Sequence, residues 1–286
     1  MPTVKTWSTP VKNENLSSLP CNICAGKKFN PLLFCEGFVY VKCSLCGLVQ
    51  INPQPNSKEV ENRYSVLHGN EYFSYELENE DAFLSLQKLA LSDAGFEKIE
   101  RRLFKKVKAP SVLDLGCATG SLLAFLKKRG WKTTGVEISP SAEYAKKRGL
   151  DIHCRQFADC RFPDESFDLV HASHFLEHIN DPRGIIRESW RVLRPGGFLL
   201  MTTPNISSFQ AWFFGGKWRS AIFDHLYLFS KGTIKKLLKT EGFKIEGIYT
   251  WGGLACGTAP LPIKFIADKA VKVLGLGDVM IIKAMK

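Results

Sequence analysis

No stretch of this 286-residue sequence comes near the roughly 20 consecutive apolar residues that a bilayer-spanning helix needs. Met1 to Pro20 also lacks the apolar core of a secretory signal, so the expected compartment is the cytoplasm. Acidic residues are in short supply, 28 Asp and Glu against 39 Lys and Arg, leaving a net charge of +11 and a pI near 9.2. That balance points to anionic partners (nucleic acid, nucleotide-sugars or phospholipid) or to a basic solvated surface without one. The remaining composition, 45% hydrophobic and 23% charged, is that of a globular protein. Its length suffices for one large core and a small appended module.

Cysteine is odd in number, nine, and four of the nine are tightly patterned. Cys21-x-x-Cys24 is followed after eighteen residues by Cys43-x-x-Cys46. With no export signal, this spacing favours metal binding over disulfides. Two knuckles that each aim a pair of sulfurs at one point make a tetrahedral thiolate shell for zinc, with Gly26 and Gly47 where knuckles need bare backbone. Phe38 to Val41 alternates like a hairpin strand, and the whole reads as a zinc ribbon over 19–52. Such a ribbon binds nucleic acid, binds protein, or staples a segment too small to hold its own core, and the last reading is preferred. Cys35 lies outside the spacing and is expected to be an ordinary thiol.

Asn52-Pro53-Gln54-Pro55-Asn56 is a stiff turn and a natural boundary. Tyr64 and Tyr72-Phe73-Ser74-Tyr75 follow with little helical or strand period; they suit either a lid over a pocket or packing against the larger domain. Apolar residues at Phe83, Leu86, Leu89, Ala90, Ala94, Ile99 and Leu103 predict one or two amphipathic helices between Asp81 and Val107.

The chain is organised around Val112-Leu113-Asp114-Leu115-Gly116-Cys117-Ala118-Thr119-Gly120. An aliphatic strand stops at a glycine turn and reopens as a helix at Ser121, which is how an α/β sheet brings backbone close to a nucleotide-like ligand. Gly116 and Gly120 supply bare backbone, and Asp114 offers a carboxylate at the strand's end. A second strand, Lys132 to Val136, ends at Glu137, where an acid can accept hydrogen bonds from both hydroxyls of a ribose. After a third strand near 151–154 come Gln156 and Phe157, placed to bond the edge of an adenine and to stack on it. Further strands at 166–170 and 198–202 alternate with a helix capped by Asp181, which predicts a parallel doubly wound sheet.

Asp-Leu-Gly-x-x-x-Gly, Glu137, Ser166-Phe167-Asp168-x-Val170, Leu176-Glu177-His178, Arg191 to Gly197 and Thr203-Pro204-Asn205 occur in that order. Over roughly 110–250 the chain thereby resembles the class I S-adenosylmethionine-dependent methyltransferases. The resemblance implies a Rossmann-like, mostly parallel seven-stranded sheet, with the last strand, 278–284, inserted antiparallel beside strand six. It implies Asp114, Gly116, Gly120 and Ser173 at the methionine end of the cofactor, Glu137 and Ile138 at the ribose, and Gln156 and Phe157 at the base. Two positions depart from the family: Ala118 stands where glycine is usual, and Gln156 where aspartate is common. The expected organisation is a flexible N-terminus over 1–18, the ribbon over 19–52, a linker with aromatic lid and helices over 53–108, and the methyltransferase domain over 109–286.

Methyl transfer from a sulfonium needs the acceptor lone pair in line with the methyl group, and a base when the acceptor is a hydroxyl. Two places offer one. His174, Glu177 and His178 follow strand four, although Glu177-His178 equally suits a structural tie between loop and sheet. The other is His225, as general base or substrate hydrogen-bond partner, with Asp224 placed to orient it or a substrate group. Nearby Trp212, Phe213, Phe214 and Trp218 beside Lys217 suit a sugar, a nucleotide or the membrane–water interface, or form a hydrophobic cover. The ribbon followed by this domain looks like bacterial enzymes of sugar and polysaccharide modification, so the preferred reading is O-methylation of a nucleotide-activated or lipid-linked sugar. Two others compete. An RNA base methyltransferase would grip RNA with the ribbon and basic surface. However, the Asn-Pro-Pro-aromatic tetrad of amino-group methylation is missing, and the ribbon carries only Lys27, Lys28 and Lys42. A non-catalytic zinc-ribbon scaffold would have no use for the largely intact cofactor motif.

Overall fold

The computed structural model describes residues 16–253 and 261–286. The expected flexible N-terminus lies outside the described residues over 1–15, as does the expected loop over 254–260. In chain order the elements are β1 (Leu16–Ser17), β2 (Phe29–Cys35), β3 (Phe38–Cys43), β4 (Val49–Ile51), β5 (Gln54–Pro55), α1 (Ser57–Asn62), α2 (Gly69–Glu78), α3 (Glu80–Asp93) and α4 (Phe96–Phe104). The large unit continues with β6 (Ser111–Leu115), α5 (Ser121–Lys128), β7 (Lys132–Val136), α6 (Ser141–Lys147), β8 (Asp151–His153), β9 (Phe167–Ser173), α7 (Pro182–Val192) and β10 (Leu193–Pro204). It closes with α8 (Phe209–Phe214), β11 (Tyr227–Leu228), α9 (Lys231–Thr240), β12 (Lys244–Trp251), α10 (Leu261–Leu274) and β13 (Val279–Met285). No described helix is long and apolar enough to cross a membrane.

Seven strands form one sheet in the order β12-β13-β10-β9-β6-β7-β8. All neighbours pair in parallel except β13, which runs antiparallel between β10 and β12, as the family resemblance implied. The period-2 alternation of side chains sorts the central strands onto two cores. Leu113, Leu115, Val170, Leu199 and Met201 face one layer, which α7 and α9 cover with Ile186, Val192, Ile234 and Leu237. Val112, Leu169, Phe198 and Leu200 face the other, covered by Ile99 and Leu103 of α4 and Leu122, Leu123 and Leu126 of α5. Strands buried on both faces read as the continuous aliphatic runs seen in the sequence.

The cysteine module is welded to this core. Its sheet has the order β11-β4-β3-β2, so β11, from beyond β10, is its fourth strand, with Tyr227 opposite Gln50 and Leu228 opposite Val49. Cys21, Ile23, Cys43 and Leu48 belong to the same buried cluster as Leu113 and Leu199. The aromatic stretch without a legible period is helical: Tyr72, Phe73 and Tyr75 lie on α2, which has apolar contacts on several sides and hence no single stripe.

Candidate active site

Beyond the carboxyl ends of β6, β7, β9 and β10 lies a single cavity of about 2280 Å³. Open α/β sheets bind ligands at this edge. At the end of the cavity where the cofactor is expected, Gly116 has φ of +68°, and a Cβ there would stand 2.8 Å from the Phe175 ring, so only glycine fits. Ala118 is also left-handed, with φ of 49°, which explains the family's preference for glycine; alanine there costs about 1–2 kcal/mol. Its N–H donates to Glu137 Oε2 (3.0 Å), and the Ser139 N–H donates to Glu137 Oε1 (2.8 Å). Each carboxylate oxygen keeps a lone pair for a ribose hydroxyl. Ile138 and Ser173 line the cavity, the Ser173 hydroxyl lying 2.8 Å from that of Thr202. These residues fit a nucleoside with a methionine-like tail.

Other expected cofactor residues stand differently. Asp114 is 2% exposed and does not reach the cavity: its Oδ1 lies 2.7 Å from Nδ1 of His171 on the neighbouring strand. Gly120 does not face it either. With φ of +76°, it lets α5 start against α6, where a Cβ would stand 2.4 Å from Leu150 Cδ1. Gln156 lines the cavity, but its amide donates to Glu61 (2.8 Å). Phe157 is 2% exposed, its ring packed near Phe162, so it belongs to the floor and presents no open stacking face. Glu76 on α2 escaped the sequence reading. Burial, and then the charge of Glu137, push its carboxyl up to about 8 despite a hydrogen bond from Ser141 Oγ.

The acceptor end is assembled from distant segments. Glu177 is fully buried; Thr203 Oγ1 donates to Oε2 (3.0 Å), and Oε1 lies 3.1 Å from His174 Nδ1. Burial alone would raise its pKa, but the hydrogen bond and the charges of the surrounding histidines outweigh it and hold the group at about 2. His225 is 8% exposed; burial, then His178, push it down to about 4, so the ring is neutral at neutral pH. Asp224 does not orient it. The Asp224 carboxylate is bound by buried Arg63 (2.7 Å) and by the Tyr72 hydroxyl (2.8 Å). The Ser220 carbonyl holds His225 Nδ1 instead, at 2.8 Å. His178 packs edge-on to His225 with ring centroids 4.7 Å apart, its Nδ1 2.7 Å from the Tyr64 hydroxyl and 2.9 Å from the Asp224 carbonyl. Tyr40 of β3 lies 2.7 Å from the His225 carbonyl, so the cysteine module props the loop that carries His225. Of the aromatic segment, Trp218 is buried and donates to Asp278 (2.6 Å), whereas Trp212 and Phe213 are exposed.

In the module itself, the sulfurs of Cys21, Cys24, Cys43 and Cys46 all lie within 4.8 Å of one another, with Cys21 and Cys46 3.3 Å and Cys24 and Cys43 3.5 Å apart. Sulfurs on one tetrahedral zinc stand roughly 3.8 Å apart, so the donor set fits that ion. The left-handed residue of the first knuckle is Ala25 rather than Gly26. Gly26 is needed for close approach, since its Cβ would stand 3.3 Å from Cys24 Sγ. Cys35 stays outside the cluster.

A family model described as a methyltransferase domain matches residues 87–247, more than half of the chain. The chain belongs to this methyltransferase family. Over 165 residues the chain is 30% identical to a probable S-adenosylmethionine-dependent methyltransferase of Mycolicibacterium smegmatis, covering 56% of this chain and 63% of the relative. Over 102 residues it is 33% identical to a ubiquinone biosynthesis O-methyltransferase of Pseudomonas entomophila, covering 33% and 44%. The match thus spans less than two thirds of either relative. Among solved structures, an S-adenosylmethionine-dependent methyltransferase from Thermotoga maritima superposes with a TM-score of 0.55 at 21% identity, over 80% of this chain and 98% of that one. One from Archaeoglobus fulgidus gives 0.52 at 20%, over 74% and 99%. These two establish the shared fold.

Proposed function

We propose that the protein transfers the methyl group of S-adenosylmethionine to an oxygen of a small molecule, in preferred form a hydroxyl of a nucleotide-activated or lipid-linked sugar. The carrying observation is the single cavity, which joins Gly116, Glu137 and Ile138 at one end to His178 and His225 at the other. Its volume exceeds the roughly 300–1,000 Å³ of a site for one small ligand, leaving room for donor and acceptor together. Glu137 would hold the ribose and the Gly116–Ala118 turn the methionine end; the cofactor supplies an electrophilic methyl group. An acceptor oxygen held in line with that methyl group would form the O–CH₃ bond as the S–CH₃ bond breaks, and its hydroxyl proton would leave toward the histidines. His178 is the half-exposed ring at the wall, with His225 and Glu177 behind it. Phe38, Phe214 and Lys217 at the far end suit a sugar carrying phosphate. The relative named as a ubiquinone biosynthesis O-methyltransferase supports transfer to oxygen on a small molecule. In the module, Cys21, Cys24, Cys43 and Cys46 would hold a structural zinc that fixes the platform under Tyr40.

Calorimetry with S-adenosylmethionine tests the donor, with binding expected in the micromolar range and weakened in Glu137→Ala. Incubation with radiolabelled donor and a panel of nucleotide-sugars, quinols and RNA tests the acceptor. Label in RNA alone would replace the small-molecule reading, and absence of donor binding would remove the enzymatic one.

A further inference from the structure

The acceptor end holds more than a candidate base. One ligand atom each from Glu177, His178 and His225 lies within 4.8 Å of the others; the two histidines line the cavity and Glu177 is fully buried. The hydrogen bonds fix the tautomers of both rings. His225 Nδ1 faces the Ser220 carbonyl and His178 Nδ1 faces the Asp224 carbonyl. A carbonyl only accepts, so a proton on each Nδ1 satisfies it and leaves each Nε2 with a lone pair; the Tyr64 hydroxyl, 2.7 Å from His178 Nδ1, is placed to accept from the same N–H. An imidazole that donates its far N–H to a backbone carbonyl is the usual posture of a metal-bound histidine. Glu177 completes the set. Its oxygens each accept one hydrogen bond and keep lone pairs, and it is fully buried. Its basic neighbours among the described residues are histidines, with His174 Nδ1 3.1 Å from Oε1, and no lysine or arginine pairs with it.

We infer that Glu177, His178 and His225 form a second metal site, distinct from the four cysteines, that takes a divalent transition ion. Two imidazoles and one carboxylate with open positions suit Zn²⁺, Fe²⁺, Mn²⁺ or Co²⁺ better than Ca²⁺ or Mg²⁺. The inference rests on the reading that the acceptor binds at this end of the cavity. An open coordination position would face it, and an acceptor hydroxyl entering there as a ligand loses its proton to water at a lower pKa. The resulting alkoxide attacks the sulfonium methyl, the S–CH₃ bond breaks, and no redox change occurs at the ion. Coordination then replaces a hydrogen bond to His178 as the means of activating the hydroxyl.

The test counts metal in the full-length protein. After equilibration with excess Co²⁺ and removal of the free ion, wild type is expected to carry two divalent ions per chain, with His178→Ala and His225→Ala carrying one. The ion they keep, in the four-cysteine set, serves as the fold check. Visible absorption resolves the two sites, because only the cysteine site gives intense thiolate-to-metal bands. The weaker bands of a nitrogen–oxygen site should vanish in both variants, and in Glu177→Gln should a histidine variant fail to fold. One ion in the wild type, or two in the variants, would overturn the inference. Calorimetry with S-adenosylmethionine on the same samples separates the two proposals: two ions without donor binding leave this site standing and remove the methyl-transfer reading.

Discussion

The two ends of the cavity are built by different means. At the cofactor end the shape is made by backbone: Gly116 and Ala118 in left-handed turns, whose conformation is written within a few consecutive residues. At the acceptor end it is made by side-chain pairs across long sequence separations. Arg63 reaches Asp224 across 161 residues, and Tyr40 reaches the carbonyl of His225 across 185. A backbone-made site depends on a few residues lacking a Cβ. A side-chain-made site depends on every buried charge finding its partner, so the two ends should fail differently under mutation.

The largest effect is expected at the acceptor end. Asp224→Ala leaves the Arg63 guanidinium buried without its carboxylate and the Tyr72 hydroxyl without its acceptor, and removal of one partner of a buried ion pair costs about 3–5 kcal/mol. Denaturant unfolding measures this directly. A loss under about 1 kcal/mol would mean that the pair does not hold this end together. Gly120→Val is the counterpart at the cofactor end, combining a left-handed backbone with a Cβ 2.4 Å from Leu150. Strain and overpacking together predict a loss of about 2–4 kcal/mol. Since Gly120 does not face the cavity, donor affinity in the molecules that remain folded should stay within a few-fold of wild type.

The same contrast accounts for what the sequence made legible. The alternating strands, the cap at Asp181 and the cysteine spacing follow from local patterns, the antiparallel last strand from the family resemblance, and the structure shows each. Glu137 and Ile138 line the cavity as expected, because a strand's end fixes where their side chains begin. Asp114 and Gly120 were expected at the cofactor; the structure sets Asp114 against His171, 57 residues on, and Gly120 against Leu150, neither of which the motif contains. Arg63, Tyr64 and Tyr72 left only an aromatic stretch without a period, because their contacts lie across the cavity and not along one helix face. Nothing near Asp224 in sequence shows that Arg63 will claim it before His225 can.

Glu137→Ala gives a smaller effect. It removes the proposed ribose acceptor and releases the N–H groups of Ala118 and Ser139, which line the cavity and can turn to water. Donor affinity should fall about 10–100-fold, equivalent to about 1.4–2.8 kcal/mol, with little change in the unfolding midpoint. Unchanged affinity would place the ribose elsewhere and remove the main side-chain contribution to the cofactor end.

Glu76 sits on the border between the two modes of construction, a side chain from distant α2 brought over the backbone-made turn. Its folded pKa is raised to about 8 by burial and then by Glu137, against an ordinary value near 4.5. Between those values the folded protein holds a proton that the unfolded chain has lost. This stabilising contribution is complete below about pH 4.5 and is lost as pH rises through 8, with a slope of up to about 1.4 kcal/mol per pH unit. Glu76→Gln mimics the protonated acid and keeps an acceptor for the Ser141 hydroxyl, so its stability at pH 5 should match wild type, the smallest effect in the set. The difference should open with pH, the variant losing less stability than wild type between pH 5 and 8. Unfolding curves for the two proteins at several pH values decide this. Parallel pH profiles would show that Glu76 ionises freely, and that α2 closes over the cofactor end without burying a carboxyl against it.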